Sequence, residues 1–181
     1  MNTNNIIEQK NINDKVRLVI AAIVSAYFVY YCFTYTDWHF IDNINLIIHE
    51  AGHSIFMFFG DFIYTFGGSF LQILFPFIFV LYFYKKREYF SASLLLFWVG
   101  QNIINVSVYA SDAVVMQLPL IGGEHDWNHL LEMTGLLSHT KIIGTSIFAI
   151  GITVIVFAIC FSIATATFKK DLTLVEILNK I

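Results

Sequence analysis

Residues 142–168, IIGTSIFAIGITVIVFAICFSIATATF, form the longest apolar stretch of the chain and contain no charged side chain. A helix needs roughly 20 apolar residues to cross the hydrocarbon layer of a bilayer, so this stretch can span one. Two further stretches of that kind lie at 16–35 and 90–110, and a shorter one at 69–84 contains Pro76. The pattern predicts an all-α, polytopic membrane protein.

Composition supports this fold class. The chain has 181 residues, of which 57% are hydrophobic and 13% are charged, whereas soluble domains are roughly 45–50% apolar and about 25% charged. The net charge is −3 and no dense basic run occurs, so we expect a lipid bilayer as partner and no nucleic acid. Cys32 and Cys160 lie in apolar stretches and are interpreted as buried hydrophobes.

The chain divides into three predicted parts. Residues 1–15 are expected to form a polar N-terminal tail, and residues 16–170 a single membrane-embedded domain. Residues 171–181 alternate apolar and polar side chains in a way that is typical of a short amphipathic helix on a membrane surface.

The segment 44–60, INLIIHEAGHSIFMFFG, is short for a span and contains ionisable residues. The Lys and Arg residues cluster before and within the first span, between the third and fourth apolar segments, and after the last (Lys10, Lys15, Arg17; Lys85, Lys86, Arg87; Lys169, Lys170). All three clusters fall on one membrane face only if 44–60 does not cross fully, and basic loops favour the cytoplasm. We therefore predict four to five transmembrane helices and prefer four full spans plus one partly inserted helix.

The motif His49-Glu50-Ala51-Gly52-His53 lies in that short helix. Histidines at i and i+4 lie one turn apart on one helix face, so both can bind a single zinc ion, and the intervening Glu50 lies close enough to hold a water molecule. Ionisable side chains inside an apolar helix are costly and usually functional. The sequence predicts a zinc site with Glu50 as general base; a polar cluster that links helices is the alternative.

A third zinc ligand has to come from elsewhere in the chain. Asp112 follows the polar stripe of the span 90–110, and a later polar segment contains His125, Asp126 and His129. Asp112 and His125 are the preferred candidates, as direct ligands or as hydrogen-bonding partners of ligands. Asp126 has an equally plausible role as a helix cap, and His129 as part of an interfacial helix face.

Other polar residues have weaker assignments. Asn102 and Asn105 lie in an apolar helix and are expected to link helices, with substrate binding as the alternative. Gly67-Gly68-Ser69 is expected to form a turn, or to leave backbone groups open for an extended peptide.

With His49-Glu50-Ala51-Gly52-His53 in a membrane helix and Asn105 and Asp112 two segments later, the chain resembles the site-two protease family of zinc intramembrane metallopeptidases. The resemblance implies that His49, His53 and Asp112 bind zinc, that Glu50 is the catalytic base and that Asn105 contacts substrate. It covers the His-Glu motif well and the Asp112 region loosely, since Ala113 stands where the family has glycine.

Taken together, these features predict a multi-pass protein of a bacterial cytoplasmic membrane that uses Zn²⁺ to hydrolyse a peptide bond in a membrane-associated peptide or protein. Two alternatives remain: a zinc-dependent hydrolase of lipid amides or esters, and a non-catalytic metal-binding protein. A lateral opening lined by Phe56, Phe58 and Phe59 would favour a lipid, and an exposed strand edge would favour a peptide.

Overall fold

A computed structural model describes residues 3–118 and 125–167, with side chains from residue 12 onward. In that part of the chain the secondary structure is helical and no strand is present. The described residues form six α-helices: α1 (Thr3–Phe33), α2 (Phe40–Phe56), α3 (Asp61–Lys85), α4 (Tyr89–Ser111), α5 (Asp126–Met133) and α6 (Thr140–Ala166), the last preceded by a 3₁₀ turn at Leu137–His139. The predicted helix at 171–181 lies outside the described residues.

Within residues 3–118 and 125–167, four segments are long and apolar enough to cross a membrane: Ile12–Phe33, Asp61–Lys85, Tyr89–Ser111 and Leu137–Ala166. The prediction of an all-α polytopic membrane protein is therefore confirmed. The short helix α2, which carries the His-Glu motif, is not among these spans. The helical backbone of α1 begins at Thr3, so the polar segment expected as a separate tail continues into the first span.

The order of these helices places α2 and α5 at the same end of the bundle. α2 lies between the end of the first span and the start of the second, and α5 lies between the third and the fourth. Because successive spans cross in opposite directions, both connections emerge at one membrane face. The basic residues Lys85, Lys86 and Arg87 lie between the second and third spans, at the opposite end.

Helices α4 and α6 pack closely because small residues face the neighbouring helix. A Cβ at Gly100 would lie 2.8 Å from the Ile155 side chain, and one at Gly151 would lie 2.6 Å from Ile104. Small residues let membrane helices approach at backbone distance, where dispersion contacts stabilise their association. The apolar core at this interface comprises Phe28, Tyr31, Phe97, Ile104, Ile155 and Ala158.

Helices α2 and α3 also approach at glycines. A Cβ at Gly52 would lie 2.8 Å from the Gly68 Cα, so the two backbones are in direct contact. Gly67, Gly68 and Ser69 are buried inside helix α3, and the expected turn or open backbone edge at these residues is wrong. The sequence signal was misleading because paired glycines occur in turns, but they also occur where two membrane helices touch.

The interior between α2, α3 and α4 is polar. Fully or almost fully buried polar side chains from these three helices meet there, namely Asp42, Asn45, His49, Gln72 and Gln101. Buried polar groups in a membrane protein must find hydrogen-bond partners within the bundle. This polar interior is where the candidate site lies.

Candidate metal centre

Helix α2 places His49 and His53 on one face, one turn apart, and directs both rings toward α3. The helix begins with the His39 backbone N–H donating to Asp42 Oδ2 at 2.8 Å, which satisfies one of the N–H groups that a helix start leaves unpaired. The contact at Gly52 brings α3 close enough for its residues to surround the two rings.

Asp126, the first residue of α5, reaches the same two rings. His125 caps this helix, because its Nδ1 accepts the Asn128 backbone N–H at 3.2 Å. The Asp126 backbone N–H donates to the Tyr109 hydroxyl at 3.2 Å, and Trp127 Nε1 donates to Ser69 Oγ at 3.1 Å. These bonds to α3 and α4 fix the start of α5 against the two histidines.

Three potential ligand atoms converge at this point. His49 Nε2 lies 2.8 Å from Asp126 Oδ2, His53 Nε2 lies 3.1 Å from the same oxygen, and the two Nε2 atoms are 3.1 Å apart. Among the described residues, this is the group of His, Cys, Asp and Glu side chains whose geometry suits a metal ion.

The hydrogen bonds on the far side of each ring determine which nitrogen carries the proton. His49 Nδ1 faces Gln72 Oε1 at 3.1 Å, and His53 Nδ1 faces the Tyr64 carbonyl at 2.9 Å. Both partners are acceptors, so each Nδ1 is the N–H donor and each Nε2 presents a lone pair. Three acceptor atoms therefore point at one another, an arrangement that a cation or an added proton between them would stabilise.

The residues fit a zinc ion. Zinc binds imidazole nitrogens and carboxylate oxygens at about 2.0–2.2 Å in tetrahedral array, which puts its ligand atoms about 3.3 Å from one another. The observed separations of 2.8–3.1 Å are close to that value. Gly68 of α3 completes the enclosure, since a Cβ there would lie 2.6 Å from both Nε2 atoms.

In the metal-free protein, the same contacts shift the pKa values of His53 and Asp126. The hydrogen bond with Asp126 raises the pKa of His53 above its usual value, and burial opposes this rise. Burial by itself would raise the pKa of Asp126, but the hydrogen bonds from His49 and His53 outweigh it and lower that pKa to about 2. The carboxylate is thus ionised at neutral pH, as a metal ligand has to be.

Glu50 lies beside the group without joining it. Its side chain is half-buried and lines a cavity of about 790 Å³ that also contains His49, His53 and Asp126. Its charge contributes to the raised pKa of His53. The cavity extends from the buried Asn105 region to the exposed loop residues Asp37 and Trp38.

Asp112 and His125, the preferred third ligands, are not brought to this group. His125 Nε2 lies 3.4 Å from Asp112 Oδ2, and this pair is separate from His49 and His53. Asp112 accepts the backbone N–H groups of Gln117 and Leu118 at 3.0 and 2.9 Å, and so holds the chain after α4. His125 contacts the Tyr109 ring, with centroids 4.4 Å apart, and Tyr109 in turn contacts His49 at 5.9 Å.

Asn105 and His129 line the cavity but make other contacts. Asn105 bonds to Gln72 and Asp42 at 2.7 and 3.2 Å, and its role as a substrate contact stays a prediction. His129 Nε2 lies 2.9 Å from Asp61 Oδ2 at the exposed edge.

The sequence analysis leaves Asp126 as a helix cap or a lower-ranked zinc ligand. In the structure His125 is the residue that caps α5. A carboxylate at the first residue of a predicted helix is ordinarily explained by the helix dipole. The sequence does not predict the contact of Gln72 with His49, because amides in membrane helices usually link helices.

Comparisons with protein-family models, with curated proteins and with solved structures gave no match for this chain.

Proposed function

We propose that this protein is a zinc-dependent membrane metallopeptidase in which His49, His53 and Asp126 bind the metal and Glu50 is the general base. The observation that supports this most is the convergence of three acceptor atoms at 2.8–3.1 Å, with both Nδ1 protons engaged elsewhere. The sequence resemblance to site-two proteases agrees with it through the His-Glu motif.

A bound zinc ion and the Glu50 side chain would contribute different parts of the proposed chemistry. Zinc lowers the pKa of a water ligand from about 15.7 to about 7 and polarises a carbonyl. Glu50 accepts a proton from the attacking water and donates it to the departing amine, which is general acid–base catalysis worth about 10²–10⁴ in rate. The substrate has to enter partly unwound, because a helical backbone engages its carbonyls in hydrogen bonds.

Polar side chains among the cavity lining suit a peptide substrate. Thr36 and Tyr64 line it and can bond to a peptide backbone. Phe56, Phe58 and Phe59, which would have formed a lateral lipid opening, are not among the lining residues.

We further place the cavity at the non-cytoplasmic face of a bacterial cytoplasmic membrane. The basic clusters that favour the cytoplasm lie at the opposite ends of the spans from α2 and α5. A membrane-associated peptide or protein would then reach the site through the loop that contains Asp37 and Trp38.

The test combines zinc content with cleavage of membrane-associated peptides by detergent-purified protein. We expect about one zinc per chain in the wild type and in Glu50→Gln. The cleavage rate of Glu50→Gln should be lower than that of the wild type by about 10²-fold or more. His53→Ala should lose both zinc and cleavage. Exposed residues outside the cavity provide matched controls, His139→Ala and Glu132→Gln, which should retain both.

Other outcomes separate the alternatives. Zinc without cleavage of any peptide, but with turnover of lipid amides, would favour the lipid hydrolase. Wild-type protein purified without chelator and containing no metal would overturn the proposal and leave a polar cluster that links helices.

A further inference from the structure

Asp42 is a buried carboxylate that the proposed chemistry does not use. It lies in the first turn of α2 and is 2% exposed. Its Oδ1 accepts Gln101 Nε2 at 2.8 Å, Asn105 Nδ2 at 3.2 Å and the Tyr31 hydroxyl at 3.4 Å. These partners, Asn45 Nδ2 at 3.5 Å and the His39 backbone N–H are uncharged donors, so the carboxylate is held by several hydrogen bonds.

A carboxylate that only accepts hydrogen bonds fixes the orientation of the amides around it. The NH₂ group of Asn105 faces Asp42, and its Oδ1 therefore faces away and accepts Gln72 Nε2 at 2.7 Å. Gln72 is oriented in turn, because its NH₂ group is committed to Asn105. Its Oε1 faces His49 Nδ1 at 3.1 Å.

The three bonds form one directional relay: His49 Nδ1–H donates to Gln72, Gln72 donates to Asn105, and Asn105 donates to Asp42. Each amide fixes the orientation of the next group, since its NH₂ group donates a hydrogen bond and its oxygen accepts one. His53 is independent of this relay, because its Nδ1 donates directly to the Tyr64 backbone carbonyl.

We propose that Asp42 is a positioning residue that holds His49 in its Nδ1–H tautomer through Asn105 and Gln72, and so keeps the Nε2 lone pair directed at the metal position. The tautomer itself is a property of the metal-free chain; only its consequence for zinc rests on the proposed function. The same relay gives Asn105 a role other than substrate contact.

The substitution Asp42→Asn should remove the fixed direction of the relay, because the new side chain can present either its oxygen or its NH₂ group at the position of Oδ1. When it presents the NH₂ group, Asn105 turns its oxygen toward residue 42 and its NH₂ group toward Gln72. Gln72 turns likewise and presents Nε2 to His49. The ring then has to accept at Nδ1, so its proton moves to Nε2, the atom that faces His53 and Asp126.

The measurement is ¹⁵N NMR of histidine-labelled, metal-free protein in detergent, at a pH well above the ordinary histidine pKa of about 6.5. Protonated and unprotonated ring nitrogens give well-separated ¹⁵N shifts, and His49→Gln and His53→Gln spectra assign the two rings among the six histidines. We expect the Nδ1–H form at both rings in the wild type. In Asp42→Asn, part of the His49 population should change to the Nε2–H form, and His53 should not change.

A second substitution supplies the rescue. Adding Gln72→Glu to Asp42→Asn puts an acceptor directly beside His49 Nδ1, and the reversed Asn105 presents its NH₂ group to that acceptor. The double variant should regain the Nδ1–H form at His49. Asp37→Asn, an exposed acid at the mouth of the same cavity and outside the relay, is the matched control and should leave both rings unchanged.

Zinc affinity provides the second readout. Loss of an outer hydrogen-bonding partner of a ligand weakens metal binding about 10–100-fold, so we expect that loss in Asp42→Asn, its recovery in the double variant and no change in Asp37→Asn. If Asp42→Asn does not fold, Asn105→Leu interrupts the relay at its centre and should leave His49 as a mixture of tautomers.

An unchanged His49 tautomer in the folded Asn105→Leu variant, together with no change in Asp42→Asn, would overturn the relay. If instead the tautomer changes as expected while the wild type binds no zinc, the relay stands and the metallopeptidase proposal fails.

Discussion

Among the described residues, two largely buried groups pair histidine with aspartate, and they differ in where the histidine protons lie. At His49 and His53 each Nδ1 donates to an acceptor, so both Nε2 lone pairs face Asp126. At His125, Nδ1 accepts the Asn128 backbone N–H, so Nε2 carries the proton and faces Asp112 at 3.4 Å.

The difference distinguishes a group that could hold a metal ion from a structural pair. A protonated nitrogen that faces a carboxylate needs no further ion, whereas lone pairs that converge on a carboxylate favour a cation. The residue types alone are the same in both places. What separates them is the hydrogen bond on the far side of each ring.

The largest expected effect is on zinc affinity, when the Asp126 carboxylate is removed and Asp112 serves as the comparison. Asp126→Ala takes away a ligand and should reduce zinc affinity by more than the roughly 10–100-fold that loss of an outer partner costs. Asp112→Ala should leave zinc affinity nearly unchanged and lower the free energy of unfolding by about 1–3 kcal/mol, because two backbone N–H groups lose their acceptor. Chelator competition and thermal unfolding measure the two quantities. A larger zinc loss in Asp112→Ala would reverse the comparison and favour the ligand set implied by the family resemblance.

Next in size is the effect of filling the space above the two Nε2 atoms. Gly68→Ala places a methyl group 2.6 Å from both nitrogens and should prevent normal zinc binding, even though alanine is the better helix former by about 1 kcal/mol. Gly67→Ala, on the adjacent residue, meets the Phe56 side chain at 2.7 Å instead and should alter stability with little change in zinc affinity. Equal zinc affinity in the two variants would show that the metal does not lie at these nitrogens.

The smallest expected effect is the pH dependence of the metal-free protein. The raised pKa of His53 stabilises the fold below about pH 6.5, and this contribution is lost as pH rises through the raised value. The pKa of Asp126, lowered to about 2, adds stability above about pH 3.9 that is lost as pH falls toward 2. The pair should therefore stabilise the metal-free fold most between about pH 4 and 6.5, as measured by urea unfolding after chelation.

His53→Gln is the control for that profile, because it removes one titrating partner and should flatten the curve between those limits. A wild-type profile with the same shape as that of the variant would contradict the coupling of His53 to Asp126.

The membrane fold was accessible from the sequence because apolar length is a local property. The stretch 142–168 and its three counterparts predict spans without any tertiary information, and four spans are present. Predictions from the sequence were wrong where one residue type suits two different local structures. Gly67 and Gly68 were expected in a turn but lie inside α3, because the absence of a Cβ suits a close helix contact as well as a turn.

The candidate site was accessible only in part. His49, His53 and Glu50 follow from the helical period, since residues four apart share a face whatever surrounds them. The sequence did not identify which carboxylate is the third ligand. Asp112 and Asp126 both lie at the end of a predicted helix, and the predicted topology puts both near the motif.

The sequence by itself determined that this chain enters a membrane and that two histidines and a glutamate lie together on one short helix, since both depend on spacing within a continuous segment. Tertiary structure alone decided that Asp126, 77 residues from His49, reaches the rings while Asp112 does not. It also decided the tautomers, through Gln72 on α3 and the Tyr64 carbonyl. The physical reason is that a hydrogen bond between helices depends on how they pack, and packing brings together residues whose distance along the chain carries no information about their distance in space.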